Sequence, residues 1–178
     1  NNTAVGYQAG YSTTTGARNV FLGYQAGYTF TVGSTATYGA NVCLGSSSGY
    51  SLTSGISNTL IGDQAGYSLT TGSANTFVGG GVYGTTTASG GLVTTGSKNS
   101  ILGNYSGNQG GLDIRTASNY IVLSDGDGNP RQVIDSNANT TLGYSTNGVA
   151  TGYLNAANTF GFKNRIINGA MVIDQRNA

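Results

Sequence analysis

The chain has 178 residues, only 7% of them charged, a formal net charge of +1, and no Glu, His or Trp. So even a balance gives no electrostatic reason to expect nucleic acid or an anionic membrane as partner, and no apolar run is long enough to span a bilayer as a helix. The single cysteine, Cys43, can build neither a disulfide framework nor a zinc site.

Thirty-one glycines would suggest disorder in an aperiodic chain, but this one repeats. Asn2-Thr3-Ala4-Val5-Gly6-Tyr7-Gln8-Ala9-Gly10-Tyr11 returns as Asn19-Val20-Phe21-Leu22-Gly23-Tyr24-Gln25-Ala26-Gly27-Tyr28 and as Asn58-Thr59-Leu60-Ile61-Gly62-Asp63-Gln64-Ala65-Gly66-Tyr67. Shorter copies start at Asn41, Asn75 and Asn99, and Asn119-Tyr120-Ile121-Val122-Leu123-Ser124 is a worn one. The steps between these asparagines are 17, 22, 17, 17, 24 and 20 residues. A short, regular period means one supersecondary unit stacked on itself.

Within a unit, two adjacent apolar residues such as Leu60-Ile61 or Phe21-Leu22 precede a glycine. Neighbours on a strand face opposite ways, so both faces of that strand ask for burial: one inside the coil, the other against something outside it, most simply another chain. The later stretch Tyr67-Ser68-Leu69-Thr70-Thr71, with equivalents at Tyr11–Thr15, Tyr28–Val32 and Tyr50–Ser54, alternates like a second, half-wet strand. Glycines supply the corners. The asparagine opening each unit stacks on its copies as an amide ladder. The expected fold is all-β, a repetitive parallel β-solenoid or β-roll of about 17-residue coils with two strands each, over residues 1–128. Seven rungs at about 4.8 Å would span roughly 30 Å.

Extra residues fall in two places. Five lie within Ser34–Ala40, and seven lie between Gly79 and Gly90. Insertions in solenoids become surface loops and often carry recognition. Tyr38 and Tyr83 sit in these insertions and Tyr105 at the corner of the next coil, which makes the three tyrosines the candidate surface-recognition residues for a sugar or a protein. Cys43 holds an apolar strand position and reads as a buried, inert thiol. The run Gly79-Gly80-Gly81 has no Lys-Ser or Lys-Thr after it and does not indicate phosphate binding.

Past residue 110 the texture changes: only Arg18, Asp63 and Lys98 are charged before it, and ten charged residues follow. Ser124-Asp125-Gly126-Asp127-Gly128-Asn129-Pro130 is a turn cluster that begins like a calcium loop, but Pro130 and Ser136 stand where that loop needs Gly and Glu. A plain turn is the better reading, and no metal or cofactor is expected. Arg131-Gln132-Val133-Ile134-Asp135 alternates like a strand, Asn139–Tyr144 reads as a decayed coil, and Asn168-Gly169 marks a hairpin. Residues 129–178 are thus expected to be a β-rich transition segment leading to a distal domain beyond this sequence. The mid-repeat beginning and the uncapped Arg176-Asn177-Ala178 ending suggest a piece of a longer polypeptide; this stretch shows no signal peptide or lipidation motif, and a targeting signal could lie in the missing part.

The Asn-x-apolar-apolar-Gly-x-x-Ala-Gly repeats resemble the head of trimeric autotransporter adhesins and the repeat regions of tailed-phage tail fibres. Asn119 to Asn129 with Arg131, and Asn164-Arg165-Ile166-Ile167-Asn168-Gly169-Ala170-Met171, are similar to segments of phage and prophage fibres. The resemblance implies a left-handed parallel β-roll homotrimer, intertwined or side by side, whose doubly apolar strands face the threefold axis. It further implies a virion location, contact with other tail proteins and attachment to a host glycan or protein receptor. A bacterial surface adhesin head is the alternative. A polysaccharide-cleaving spike needs two positioned carboxylates, and the repeats offer only Asp63 before Asp113. Ice binding is suggested by Thr14, Thr53, Thr70 and Thr94 at matching rung positions, although a solvent-facing strand edge explains them as well. The expected reading is therefore non-enzymatic.

Overall fold

A computed structural model describes residues 1–31, 39–81, 87–144 and 150–154, with the backbone path alone at 144 and 150–154. Tyr38, Tyr83 and the Asn168-Gly169 hairpin signal lie outside the described residues. Strands β1 (Thr3–Val5), β2 (Val20–Leu22), β3 (Val42–Leu44), β4 (Thr59–Ile61), β5 (Thr76–Val78) and β6 (Ser100–Leu102) each follow a motif asparagine. They pair parallel and in register, as Ala4, Phe21, Cys43, Leu60, Phe77 and Ile101 fall opposite one another. The architecture is the expected all-β parallel solenoid, with no helix among the described residues.

Each coil holds one strand, not two. The expected second strand at Tyr67–Thr71 is a run of tight turns, closed by hydrogen bonds from the Tyr67 amide to the Gln64 carbonyl and from the Leu69 amide to the Gly66 carbonyl. Gln64 (φ 56°) and Gly66 (φ 61°) are left-handed, which coils the chain too tightly for an extended strand. The alternation still sorts the side chains: Phe30, Leu52, Leu69 and Val93 point into the core with Phe21, Leu60 and Phe77. Each such fully buried side chain contributes about 1.5–3 kcal/mol.

The amide ladder forms as expected. The Asn41 Oδ1 accepts both the backbone N–H of Asn58 (2.9 Å) and its Nδ2 (3.1 Å), and Asn58 treats Asn75 the same way at 3.0 and 3.1 Å. The Nδ2 of Asn58 also donates to the Gly72 carbonyl at 3.0 Å. A serine ladder runs beside it, with Ser73, Ser97 and Ser118 hydroxyls accepting from the backbone amides of Ile56, Ser73 and Ser97. Of the threonines at matched rung positions, Thr53, Thr70 and Thr94 bond along the stack, their hydroxyls donating to the carbonyls of Thr70, Thr94 and Arg115, whereas Thr14 is exposed.

The glycine ending each strand is required by the stacking. Gly62 adopts φ 131°, and a Cβ there would collide with the Gly79 backbone of the next rung.

The worn copy is shifted by one residue from the sequence reading. Strand β9 (Ile121–Ser124) pairs with β6 so that Ile101 faces Val122. Tyr120, not Asn119, therefore takes the ladder position, its amide donating to the Asn99 Oδ1 at 2.9 Å. Asn119 (φ 66°) matches Lys98 (φ 58°), the left-handed residue before each ladder asparagine. Between β6 and β9 a small hairpin of β7 (Asn108–Gln109) and β8 (Leu112–Asp113) projects from the coil.

After β9 the same sheet continues antiparallel through β10 (Pro130–Ile134), β11 (Thr140–Tyr144) and β12 (Ala150–Leu154), making ten strands in all. The Asn139–Tyr144 segment is thus a hairpin strand rather than a decayed coil. Its connection Asp135–Asn139 repeats the geometry of Asp125–Asn129. In each turn the first Asp Oδ1 accepts the amides two and four residues on, at 2.8–3.1 Å. Those tight turns reverse the chain where a coil would carry it around.

Candidate recognition surfaces

Tyr105, expected on the surface, is fully buried. Its coil places it where Ala65 stands in an earlier coil and Ser89 in the preceding one, so the ring fills the interior instead of a methyl or hydroxyl group. Its hydroxyl donates to the Leu112 carbonyl at 2.8 Å, pinning the β7–β8 hairpin to the solenoid. Tyr105 is a structural anchor, not a contact residue.

Three other surfaces emerge. The first is the outer face of the sheet. The middle residue of each strand points inward and its two neighbours point out, as the burial pattern of β2 shows. Val5, Leu22, Leu44, Ile61, Val78, Leu102 and Leu123 therefore form one continuous outward column, with Val20 and Ile121 in a second. Leu22 is 41% exposed, Leu44 37% and Leu102 56%. The column crosses into the antiparallel strands, where Leu123 lies opposite Gln132 and Gln132 opposite Leu142, itself exposed. The doubly apolar motif thus has one face in the core and the other against solvent in a single chain.

The second surface is aromatic. Tyr11, Tyr28, Tyr50 and Tyr67 stack ring on ring with centroids 5.2, 5.1 and 5.1 Å apart. Tyr7 and Tyr24 form a shorter stack at 5.4 Å, beside a Gln25 to Gln8 side-chain hydrogen bond of 2.9 Å. Sequence reasoning passed over this column in favour of the insertion tyrosines. Its signal was a tyrosine at one fixed position of four successive repeats, which parallel stacking must bring together. Faces between neighbouring rings are occupied by one another, while Tyr11 and Tyr67 at the ends of the column each stack on one ring.

The third is a shallow pocket of about 190 Å³ lined by Thr94, Asp113, Arg115 and Thr116. Buried Ile114 points into the core, so Asp113 and Arg115 on either side of it point out together. Arg115 Nε and one terminal nitrogen donate to Asp113 at 3.0 and 2.8 Å, and the Arg115 amide donates to the same carboxylate at 3.1 Å. Those bonds from the guanidinium and the amide hold the Asp113 carboxyl below its usual 3.8. The Thr94 amide and hydroxyl both donate to the Arg115 carbonyl, fixing this edge to the rung below.

Outside the pocket, the two turn aspartates are engaged within the fold, whereas Thr13 Oγ1, Asp63 Oδ1 and Ser89 Oγ are buried without a hydrogen-bond partner. The Asp125 and Asp135 carboxylates cap their own turns, and Asp125 also accepts from Arg131. Among the described residues no group of three His, Cys, Asp or Glu could hold a metal, and no helix is long and apolar enough to cross a membrane. Cys43 is buried, and burial pushes its thiol up to about 12. No protein-family model, curated protein or solved structure matches the chain.

Proposed function

We propose that this chain is a structural segment of a homotrimeric fibre that attaches to a host cell surface, as in a phage tail fibre. The supporting observation is the outward aliphatic column, one residue per rung from Val5 to Leu123. A surface that repeats every rung, about 4.8 Å, is matched by a partner with the same repeat, and a second and third copy of the chain supply it. Large ordered apolar patches of this kind mark association surfaces. The threefold count and the host-attachment role follow from the resemblance of the repeat motif to such fibres. A bacterial surface adhesin head would use the same face.

The other readings have less support. Ice binding needs an outward threonine array, but Thr53, Thr70 and Thr94 give their hydroxyl protons to the neighbouring rung. Polysaccharide cleavage needs two positioned carboxylates, whereas Asp113, Asp125 and Asp135 are each engaged by their own turn or by a neighbouring arginine.

The test is the mass of the folded chain by light scattering or native mass spectrometry, together with adsorption of the labelled protein to bacterial cells. The expected species contains three 18.0 kDa chains. A stable monomer would remove the fibre reading.

A further inference from the structure

The geometry points to a binding subsite for a single neutral sugar residue in the pocket formed by Thr94, Asp113, Arg115 and Thr116. This inference rests on the attachment reading and gives it a location and a ligand class. Four features support the choice.

The pocket sits where the solenoid departs from its repeat, at the β7–β8 insertion, in a chain whose ladders otherwise consume their own polar groups. Its walls are stiff. Ile114 is locked in the core, its amide donates to the Gly107 carbonyl at 2.7 Å, and Tyr105 holds the hairpin from behind. A subsite built on anchored strand ends loses little freedom on binding.

Charge and donor count select the ligand. The guanidinium has five N–H groups, and Asp113 engages only Nε and one terminal nitrogen. Unused N–H groups and the Thr116 hydroxyl remain at the surface, while the adjacent carboxylate cancels the positive charge. The site therefore offers hydrogen bonds without net attraction for an anion, which suits a hydroxyl-rich neutral ring. Acidic sugars would meet the Asp113 carboxylate. At about 190 Å³ the space is smaller than the roughly 300–1,000 Å³ of sites for larger ligands, so it takes one sugar residue at a chain end or branch. The tyrosine column is a weaker candidate because the faces between neighbouring rings, the part that stacks on sugars, are already occupied, and only its end rings Tyr11 and Tyr67 stack on a single neighbour.

The test is a titration of the full chain, followed by amide NMR shifts, with glucose-, galactose- and mannose-terminated oligosaccharides and with their sialylated and uronic-acid counterparts. The expected result is shifts at Thr94, Asp113, Arg115 and Thr116 with at least one neutral probe. Arg115→Ala should weaken that binding at least tenfold. Should Arg115→Ala loosen the hairpin, Thr116→Val removes only a surface hydroxyl and should weaken binding several-fold. No shifts with any probe, shifts confined to the tyrosine column, or stronger binding of the acidic probes would each overturn the subsite. Cell adsorption separates the two proposals. Wild type and both variants adsorbing equally would leave attachment standing and remove the site. Sugar binding without adsorption would do the reverse.

Discussion

At the scale of single residues, stability is concentrated in side chains that serve two rungs at once. Asn58 accepts two hydrogen bonds from Asn75 and donates to Asn41 and Gly72, all out of contact with water. Asn58→Ala strands two buried donors on Asn75, and at about 1–3 kcal/mol each the loss should be about 2–6 kcal/mol. Asn104→Ala removes one exposed bond, from its side chain to the Gly126 carbonyl, and should cost about 0.5–1.5 kcal/mol. Denaturant midpoints of the two variants would check the ratio, and equal losses would refute the ladder's role. Cys43 gives a second residue-scale prediction. Its folded thiol is raised from 9.0 to about 12, so folding favours the neutral form. Its contribution is complete below about pH 9 and is lost as pH rises toward 12. Stability should fall over that window more steeply in the wild type than in Cys43→Ala, and parallel curves would disprove it. The amide ladder was legible in the sequence because one asparagine recurs at one place in each repeat. Tyr105 was misjudged because burial at a corner depends on what the neighbouring insertion covers, which no periodicity encodes.

At the scale of elements, the sequence predicts the coils well and the turns poorly. Strands β1 to β6 were readable from paired apolar residues followed by glycine. The second strand failed because left-handed residues include Gln8, Gln25, Ser47 and Gln64, which carry no glycine-like signal. The shift from Asn119 to Tyr120 has a similar cause, since the left-handed residue before the ladder can be Arg18, Ala40, Ser57, Ala74 or Lys98. The change from coils to hairpins, in contrast, rests on the two aspartate-led turns, and their chemistry is testable by pH. In the turn at Asp135 the Asn139 side chain, followed by the Asn139 and Asn137 amides, holds the carboxyl below 3.8 against the opposing effect of burial. A depressed folded pKa contributes stability above 3.8 that is lost as pH falls through the folded value. Amide protection in β10 and β11 should therefore drop on acidification below that point before protection in β3 to β5 does. The ladders of those coils are built from amides and hydroxyls, which do not titrate there. Simultaneous loss everywhere would show that the turns do not limit the hairpins.

At the scale of the whole molecule, the question is what covers the outer face of the sheet. The sequence motif demanded two buried faces per strand, and one chain buries only one of them. Leu44 and Leu22 lie side by side in the exposed column, so a charge introduced there distinguishes the two possible answers. If the column faces solvent, Leu44→Lys replaces one exposed side chain with another and should move stability by no more than about 0.5 kcal/mol. If the column faces the same column in two further copies, each lysine loses its hydration without gaining a counter-charge, a cost of several kcal/mol per copy. The expected outcome is the second. Leu44→Lys should lower the particle mass toward one chain and reduce thermal stability, and Leu22→Lys with Leu44→Lys should abolish association. Thr95→Lys, exposed on a turn outside the column, should leave mass and stability unchanged. Light scattering across protein concentration reads the difference directly, because self-association depends on concentration and a fold-internal effect does not. If Leu44→Lys and Thr95→Lys behave alike, the aliphatic column is not an interface, and the fibre reading loses its structural support.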